Sequence, residues 1–213
     1  MIEVIEAGFW PHQVPYRDGW ELQRRIHEGV ADGTRAEALI LLEHEEVFTA
    51  GSRTEEHERP RLSPTPVLDV DRGGKITWHG PGQLVGYPIV RVDDRRDVVA
   101  HVRRLEAVLI DVLATLGVEG FRVNGRSGVW VAGDGSPNKI AAIGVRVERG
   151  VSLHGFALNC TNSLAPYDEI VPCGISDAGV TTIARETGRE LSPAELSSAV
   201  CDFFRVVFER VPA

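Results

Sequence analysis

The sequence predicts an α+β fold, a mixed or antiparallel sheet packed by helices. Helix-period apolar stripes stand near the start, in the middle and at the end of the chain, and short β-branched or aromatic runs fill the intervals. The strands come in groups instead of alternating one by one with helices, which excludes a doubly wound parallel sheet. No linker interrupts the strand-rich middle, so residues 1–213 are expected to form a single domain.

The elements follow in order. Leu22, Ile26 and Val30, four apart, predict a helix over 17–32, and Gly33 is a fitting stop. Residues 38–44 read as a buried strand. Three prolines (Pro60, Pro64 and Pro66) among many charges make 53–66 a loop. Short strands are expected over 67–70, 75–78 and 84–92, separated by glycines and Pro81. Val98, Val102, Leu105, Leu109, Val112 and Leu116 keep the three-to-four spacing of a long helix, capped by Gly117. Further strands follow at 128–132, 140–147 and 151–158. A last helix opens on Ser192-Pro193-Ala194-Glu195, a capping box with proline in the first turn. Its inward face holds Leu196, Val200, Phe203 or Phe204, and Val207.

Composition narrows the function classes. The net charge of −8 argues against a general nucleic-acid binder, whose footprint is basic. Three cysteines (Cys160, Cys173 and Cys201) are too few and too irregularly spaced for a disulfide framework or a CxxC zinc site. The first residues are acidic where a signal peptide is basic, and no apolar run is long enough to span a membrane. A cytoplasmic protein without membrane or nucleic-acid partners is expected.

Four stretches carry the candidate chemistry. In RGGKITWHGPGQ, residues 72–83, four glycines and a proline in twelve residues suit tight turns or close approach of a ligand, with Arg72 and His79 as donors. A pair of ordinary hairpin turns would read the same way. Neither phosphate-loop pattern, GxxxxGK[ST] or GxGxxG, is present. Lys139 opens a run of small apolar residues where desolvation lowers a lysine's pKa and lets the neutral amine act as a base near neutral pH, although a solvated strand-end lysine fits equally. His154-Gly155 within an apolar strand offers a donor and open backbone, or else a structural histidine beside a bulge. Cys173, between Pro172 and Gly174, is presented as nucleophiles on sharp turns are, or is a small buried hydrophobe. His79, His154 and Cys173 lack local ligand spacing, so no metal is expected. His12, His27, His44, His57 and His101 read as surface or helix-face residues.

Together RGGKITWHGPGQ, KIAAIGVRVERGVSLHGFALN (139–159) and IVPCGISDAGVTTI (170–183) resemble, in order and spacing, the lipoyl(octanoyl) transferase family of lipoate biosynthesis. The resemblance runs from the first helix to Thr182. It implies the catalytic fold of biotin and lipoate protein ligases, and transfer of an octanoyl group from octanoyl-acyl carrier protein to a lysine of a lipoyl domain. The acceptors implied are the lipoyl domains of 2-oxoacid dehydrogenase complexes and the glycine cleavage H protein. It assigns Cys173 as the acyl-accepting nucleophile and Lys139 as its acid–base partner. Arg72, Gly73, Gly74, Lys75, Ile76, Thr77, Trp78 and His79 would line the acyl pocket, joined by Ala142, Ile143, Gly144, Gly155, Phe156 and Ala157. No cofactor is implied.

Two other readings compete. An ATP-dependent lipoate or biotin protein ligase would activate a free acid and would not need Cys173, and a non-enzymatic acyl-binding module would leave that cysteine inert. Because the carrier and lipoyl domains are acidic in this family, docking is expected at a local basic patch, with Arg24, Arg25, Arg146 and Arg149 as candidates.

Overall fold

The computed structural model describes residues 1–92, 97–170 and 178–209. In chain order the elements are β1 (Glu3–Gly8), α1 (Tyr16–Asp32), β2 (Ala38–Leu42), β3 (Val47–Ala50), β4 (Val67–Asp69), β5 (Thr77–His79), β6 (Gln83–Ile89), α2 (Val98–Thr115), β7 (Phe121–Val123), β8 (Arg126–Val131), β9 (Asn138–Glu148), β10 (Val151–Asn159), β11 (Gly179–Val180), α3 (Ile183–Thr187) and α4 (Pro193–Phe208). Short 3-10 turns occupy Glu56–Glu58 and Ala165–Glu169.

The large sheet has the order β1-β2-β6-β10-β9-β8-β7, with β11 also paired to β9. It is mixed: β1–β2 and β11–β9 are parallel and the other pairs antiparallel. A second sheet, β4-β3-β5, stands apart from it. α1 covers one face of the large sheet, where Ile26 and Val30 pack on Ile40, Val85, Ile89 and Leu153. α2 and α4 cover the other, where Leu105, Leu109, Val112, Leu196, Val200 and Phe204 meet Leu84, Ile140 and Leu158. Each such fully buried aliphatic side chain contributes about 1.5–3 kcal/mol relative to exposure.

The α+β architecture and all three long helices agree with the sequence. Gly33 caps α1 in the left-handed conformation, and Ser192 with Glu195 forms the capping box of α4. Of the two phenylalanines offered for the inner face of α4, Phe204 is the buried one. The strand expected at 75–78 forms instead at Thr77–His79, because Gly74 and Lys75 spend their carbonyls on Arg53 and Arg72. β1, β3, β7, β11 and α3 had no sequence expectation. β1 is a half-exposed edge strand, and β11 and α3 are shorter than any periodicity can register.

Two irregularities position the site. β9 carries one residue more than β8 where they pair, since Val129 faces Ala141 while Trp130 faces Lys139. Ile140 and Ala141 therefore both enter the core, and Lys139 turns to the face of Ala142 and Gly144. Between β6 and β10 the ladder lapses opposite Pro88, which has no N–H to give. Pairing in the same register resumes where Ser152 donates to Val90 at 2.9 Å. In the lapse His154 adopts φ +58°, and its amide is taken up by Gln23 Oε1 of α1 at 2.8 Å.

Candidate functional site

A cavity of about 250 Å³ opens between the β9–β10 hairpin and the stretch from Arg72 to His79. Its apolar wall is made by Ala142, Ile143, Phe156 and Ala157, with Gly144 and Gly155 between them. Gly155 has to be glycine, since a Cβ there would collide with the Gly86 carbonyl oxygen. Gly86 in turn makes room for the Phe156 ring.

Lys139 lies in this cavity with only 7% of its surface exposed. Its Nζ is 4.6 Å from the centroid of the Trp130 ring, a cation–π arrangement. This burial rules out a solvated strand-end position for the lysine. β11 is laid alongside it: Val180 is its register partner, and the Thr181 amide donates to its carbonyl at 3.0 Å. Cys173 lies outside the described residues.

The opposite wall is polar. Arg72 Nη2 donates to the Thr49 carbonyl at 2.6 Å and to Thr49 Oγ1 at 2.9 Å, while Nη1 donates to the carbonyls of Gly73 and Lys75. These bonds make Arg72 a brace for its own loop. Lys75 Nζ pairs with Glu55 and Glu58. Burial opposes the charge of Glu58, but the Glu55 amide and Lys75 hold its carboxyl below the usual range.

His79 is buried, and that burial first, then the charges of His44 and Arg72, pushes its pKa down to about 3. The neutral ring is oriented from both sides. Nδ1 donates to Gln83 Oε1 at 2.8 Å, and Thr49 Oγ1 donates to Nε2 at 3.2 Å. Gln83 Nε2 continues to Asn159 Oδ1 and the Tyr167 hydroxyl, both at 2.9 Å, and Asn159 Nδ2 donates to the Thr181 carbonyl. One buried chain of polar groups therefore links the cavity to the residues on either side of 171–177.

Of the proposed pocket residues, Arg72, Gly74, Lys75, Thr77, His79, Ala142, Ile143, Gly144, Gly155, Phe156 and Ala157 line the cavity together with Lys139. Gly73, Ile76 and Trp78 do not. Gly73 bonds Val145 through its backbone, while Ile76 and Trp78 pack with Phe48, Tyr167 and Ile170 in a core of their own. Tyr16, Arg53, Tyr87, Arg126 and Ser127 also line the cavity and were not anticipated. Tyr16 opens a helix in sequence and Tyr87 sits within a buried strand, so each looked like packing.

The expectation for His44 is also corrected. It is fully buried, with Nδ1 donating to the Val14 carbonyl at 2.7 Å and Nε2 accepting from the Tyr87 hydroxyl at 2.6 Å. His27 and His101 lie on helices but are buried as well. Three of the four arginines offered for docking have acidic partners within the chain. Arg24 and Arg146 pair with Asp71, and Arg149 with Asp32. Among the described residues no cluster of three His, Cys, Asp or Glu side chains could hold a metal, and no helix is long and apolar enough to cross a membrane.

Comparison with known proteins is consistent along nearly the whole chain. Residues 15–205 match the family model of the lipoyl protein ligase A/B catalytic domain. An octanoyltransferase of Clavibacter michiganensis subsp. michiganensis is 58% identical over 201 residues, covering 92% of this chain and 86% of that protein. One from Leifsonia xyli subsp. xyli is 54% identical over 215 residues, covering 100% and 96%. Among solved structures, one from an archaeal lipoylation system, a bipartite lipoate protein ligase and its E2 lipoyl domain from Thermoplasma acidophilum, superposes with a TM-score of 0.74 at 14% identity. It covers 98% of this chain and 84% of that one, a likeness of fold.

Proposed function

This chain belongs to the lipoyl protein ligase A/B catalytic-domain family and groups with its octanoyltransferases, and from that premise we propose how it moves the octanoyl group. The acceptor is a lysine of a lipoyl domain. The donor is octanoyl-acyl carrier protein, and the acyl group passes through a thioester on Cys173 with Lys139 moving the protons. Residues 1–213 act as one catalytic domain in the cytoplasm. The 2-oxoacid dehydrogenase lipoyl domains and the glycine cleavage H protein are the acceptors.

The observation that carries this reading is the buried Lys139 amine in a cavity whose adjoining wall is apolar and glycine-lined. An acyl chain finds hydrophobic contact along Ala142, Ile143, Phe156 and Ala157, while the amine stands at the reacting end. Lys139 first takes the Cys173 thiol proton. The thiolate attacks the thioester carbon, a new C–S bond forms, and the donor's C–S bond breaks. Lys139 then returns the proton to the departing thiol. In the second half the acceptor amine attacks, the C–N bond forms and the Cys173 C–S bond breaks. Lys139 takes the amine's proton, and the thiolate–ammonium pair is restored. Exchange of one thioester for another keeps the acyl group reactive toward an amine.

Intact-protein mass spectrometry after mixing with octanoyl-acyl carrier protein tests the route, on the wild type and on Cys173→Ser. The expected result is a hydroxylamine-labile octanoyl adduct on the wild type only, discharged by added lipoyl domain. Product formation from an unmodified enzyme would overturn the covalent route.

A further inference from the structure

The acyl-transfer reading gives no task to His154, although this residue lines the cavity and its side chain is only 2% exposed. Its φ of +58° inside a strand is a conformation that side chains adopt rarely and that persists only where the surroundings over-determine it. Pro88 interrupts the ladder opposite, Gln23 Oε1 holds the backbone amide, and the Trp20 ring packs against the imidazole.

The two ring nitrogens have different surroundings. Nε2 meets Asp71 Oδ1 at 2.7 Å, and Asp71 Oδ2 receives Arg24 Nη2 at 2.9 Å and Arg146 Nη1 at 3.2 Å. The contact with His154 first, and the two arginines behind it, holds the Asp71 carboxyl below the usual range. Burial meanwhile disfavours the charged imidazole. An ionised carboxylate only accepts, so the single ring proton sits on Nε2 and the lone pair is on Nδ1. Nδ1 is buried and has no hydrogen-bond partner among the described residues. An open acceptor on a residue that lines the cavity calls for a donor from the ligand, and an octanoyl chain has none to offer.

We propose that His154, fixed in one tautomer by Asp71, accepts a hydrogen bond at Nδ1 from an N–H in the polar part of the substrate and so positions the reacting carbonyl. This rests on the octanoyl-transfer reading but not on the covalent route through Cys173. Two groups supply such an N–H: an amide of the arm that carries the donor thioester, and the amine of the acceptor lysine.

Three substitutions separate this role from a structural one. His154→Asn puts an amide oxygen where Nδ1 stands and tolerates the left-handed backbone, but does not reach Asp71. His154→Gln reaches Asp71 but leaves no acceptor at the Nδ1 position. Asp71→Asn keeps the shape. The two arginines claim its oxygen, its NH₂ faces Nε2, and the ring proton is forced onto Nδ1.

Steady-state transfer to a lipoyl domain is measured at a temperature where circular dichroism shows each variant folded. The expected kcat/KM of His154→Asn lies within about threefold of wild type, with His154→Gln and Asp71→Asn at least about tenfold lower, the scale of one unsatisfied buried acceptor. His154→Gln equal to or better than His154→Asn, or Asp71→Asn at the wild-type rate, would overturn the proposal. If a His154 variant does not fold, the Asp71→Asn rate decides alone. Single-turnover loading and discharge then identify the source of the N–H. Slowed loading marks the donor arm, and slowed discharge marks the acceptor amine. A wild type that forms no adduct removes the Cys173 route while leaving the steady-state ratios readable.

Discussion

The amide of Thr181 donates to the carbonyl of Lys139 at 3.0 Å, and the preceding residue, Val180, stands opposite Lys139 in parallel register. Cys173 is only seven positions before Val180 in sequence. The strand that follows the cysteine is therefore tied by its backbone to the residue expected to exchange protons with it, whatever the lysine side chain does.

That tie makes Lys139→Arg an informative substitution. Arginine keeps a cation over Trp130 but does not relay protons near neutral pH. Turnover should fall about 10²-fold or more, the usual scale of general acid–base assistance, with the melting temperature little changed. Near-normal turnover would exclude proton transfer through this residue.

Gly155→Ala drives a methyl into the Gly86 carbonyl and to 2.5 Å from Pro88 Cδ, where backbone and ring have no room to yield. Overpacking of this kind costs about 1–3 kcal/mol. For a chain of this size each 1 kcal/mol corresponds to roughly 2–4 °C of melting temperature. Because the displaced strand carries His154 and Phe156, activity should fall beyond what the loss of folded protein explains.

Glu106 is fully buried. Its carboxylate accepts from Arg103 Nη1 at 2.6 Å, Arg122 Nε at 3.0 Å and the Gly128 amide at 3.2 Å. Glu106→Ala leaves that amide unsatisfied but frees two arginines that already reach solvent. The expected cost is about 3 kcal/mol in a urea titration, the low end for breaking a buried charge pair. Glu106→Gln, which still accepts, should lose less than half of that.

Burial lowers the pKa of His79 to about 3 and those of His44 and His101 to about 4. In the unfolded chain these rings protonate near pH 6.5. Below that pH the unfolded state binds protons that the native state refuses, so stability present above about 6.5 is lost as the pH falls toward 4. Between about pH 6 and 5, these three rings should take up about three protons on unfolding, contributing a slope of roughly 4 kcal/mol per pH unit. His101→Phe, remote from the cavity, should remove about a third of that slope. Denaturation curves with an unchanged slope would refute its share.

How much of this was legible in the sequence depends on the range of the interaction. Helix stripes, Gly33 as a cap and the Ser192–Glu195 box are settled within one or two turns of chain, and all of them form. The glycine-rich stretch and the small residues after Lys139 pointed to a shared cavity, and most of them line it. Tyr16 and Tyr87 escaped notice, and His44 read as a surface residue, because their partners lie in other elements. The acidic partners of Arg24, Arg146 and Arg149 escaped notice for the same reason. Net charge says nothing of Asp71 standing between Arg24 and Arg146. Trp78 sits inside the glycine-rich motif, yet its side chain belongs to the core with Tyr167.

The extra residue in β9 sets the face on which Lys139 stands. With every residue of β9 kept but its pleat regular against β8, alternation back from Ala142 would put Lys139 on the face of Ala141, beneath α2. The rest of the hairpin, from Ala142 through the turn to Asn159, would keep its frame. One residue of phase thus separates a strand that presents an amine to the cavity from one that turns it beneath α2.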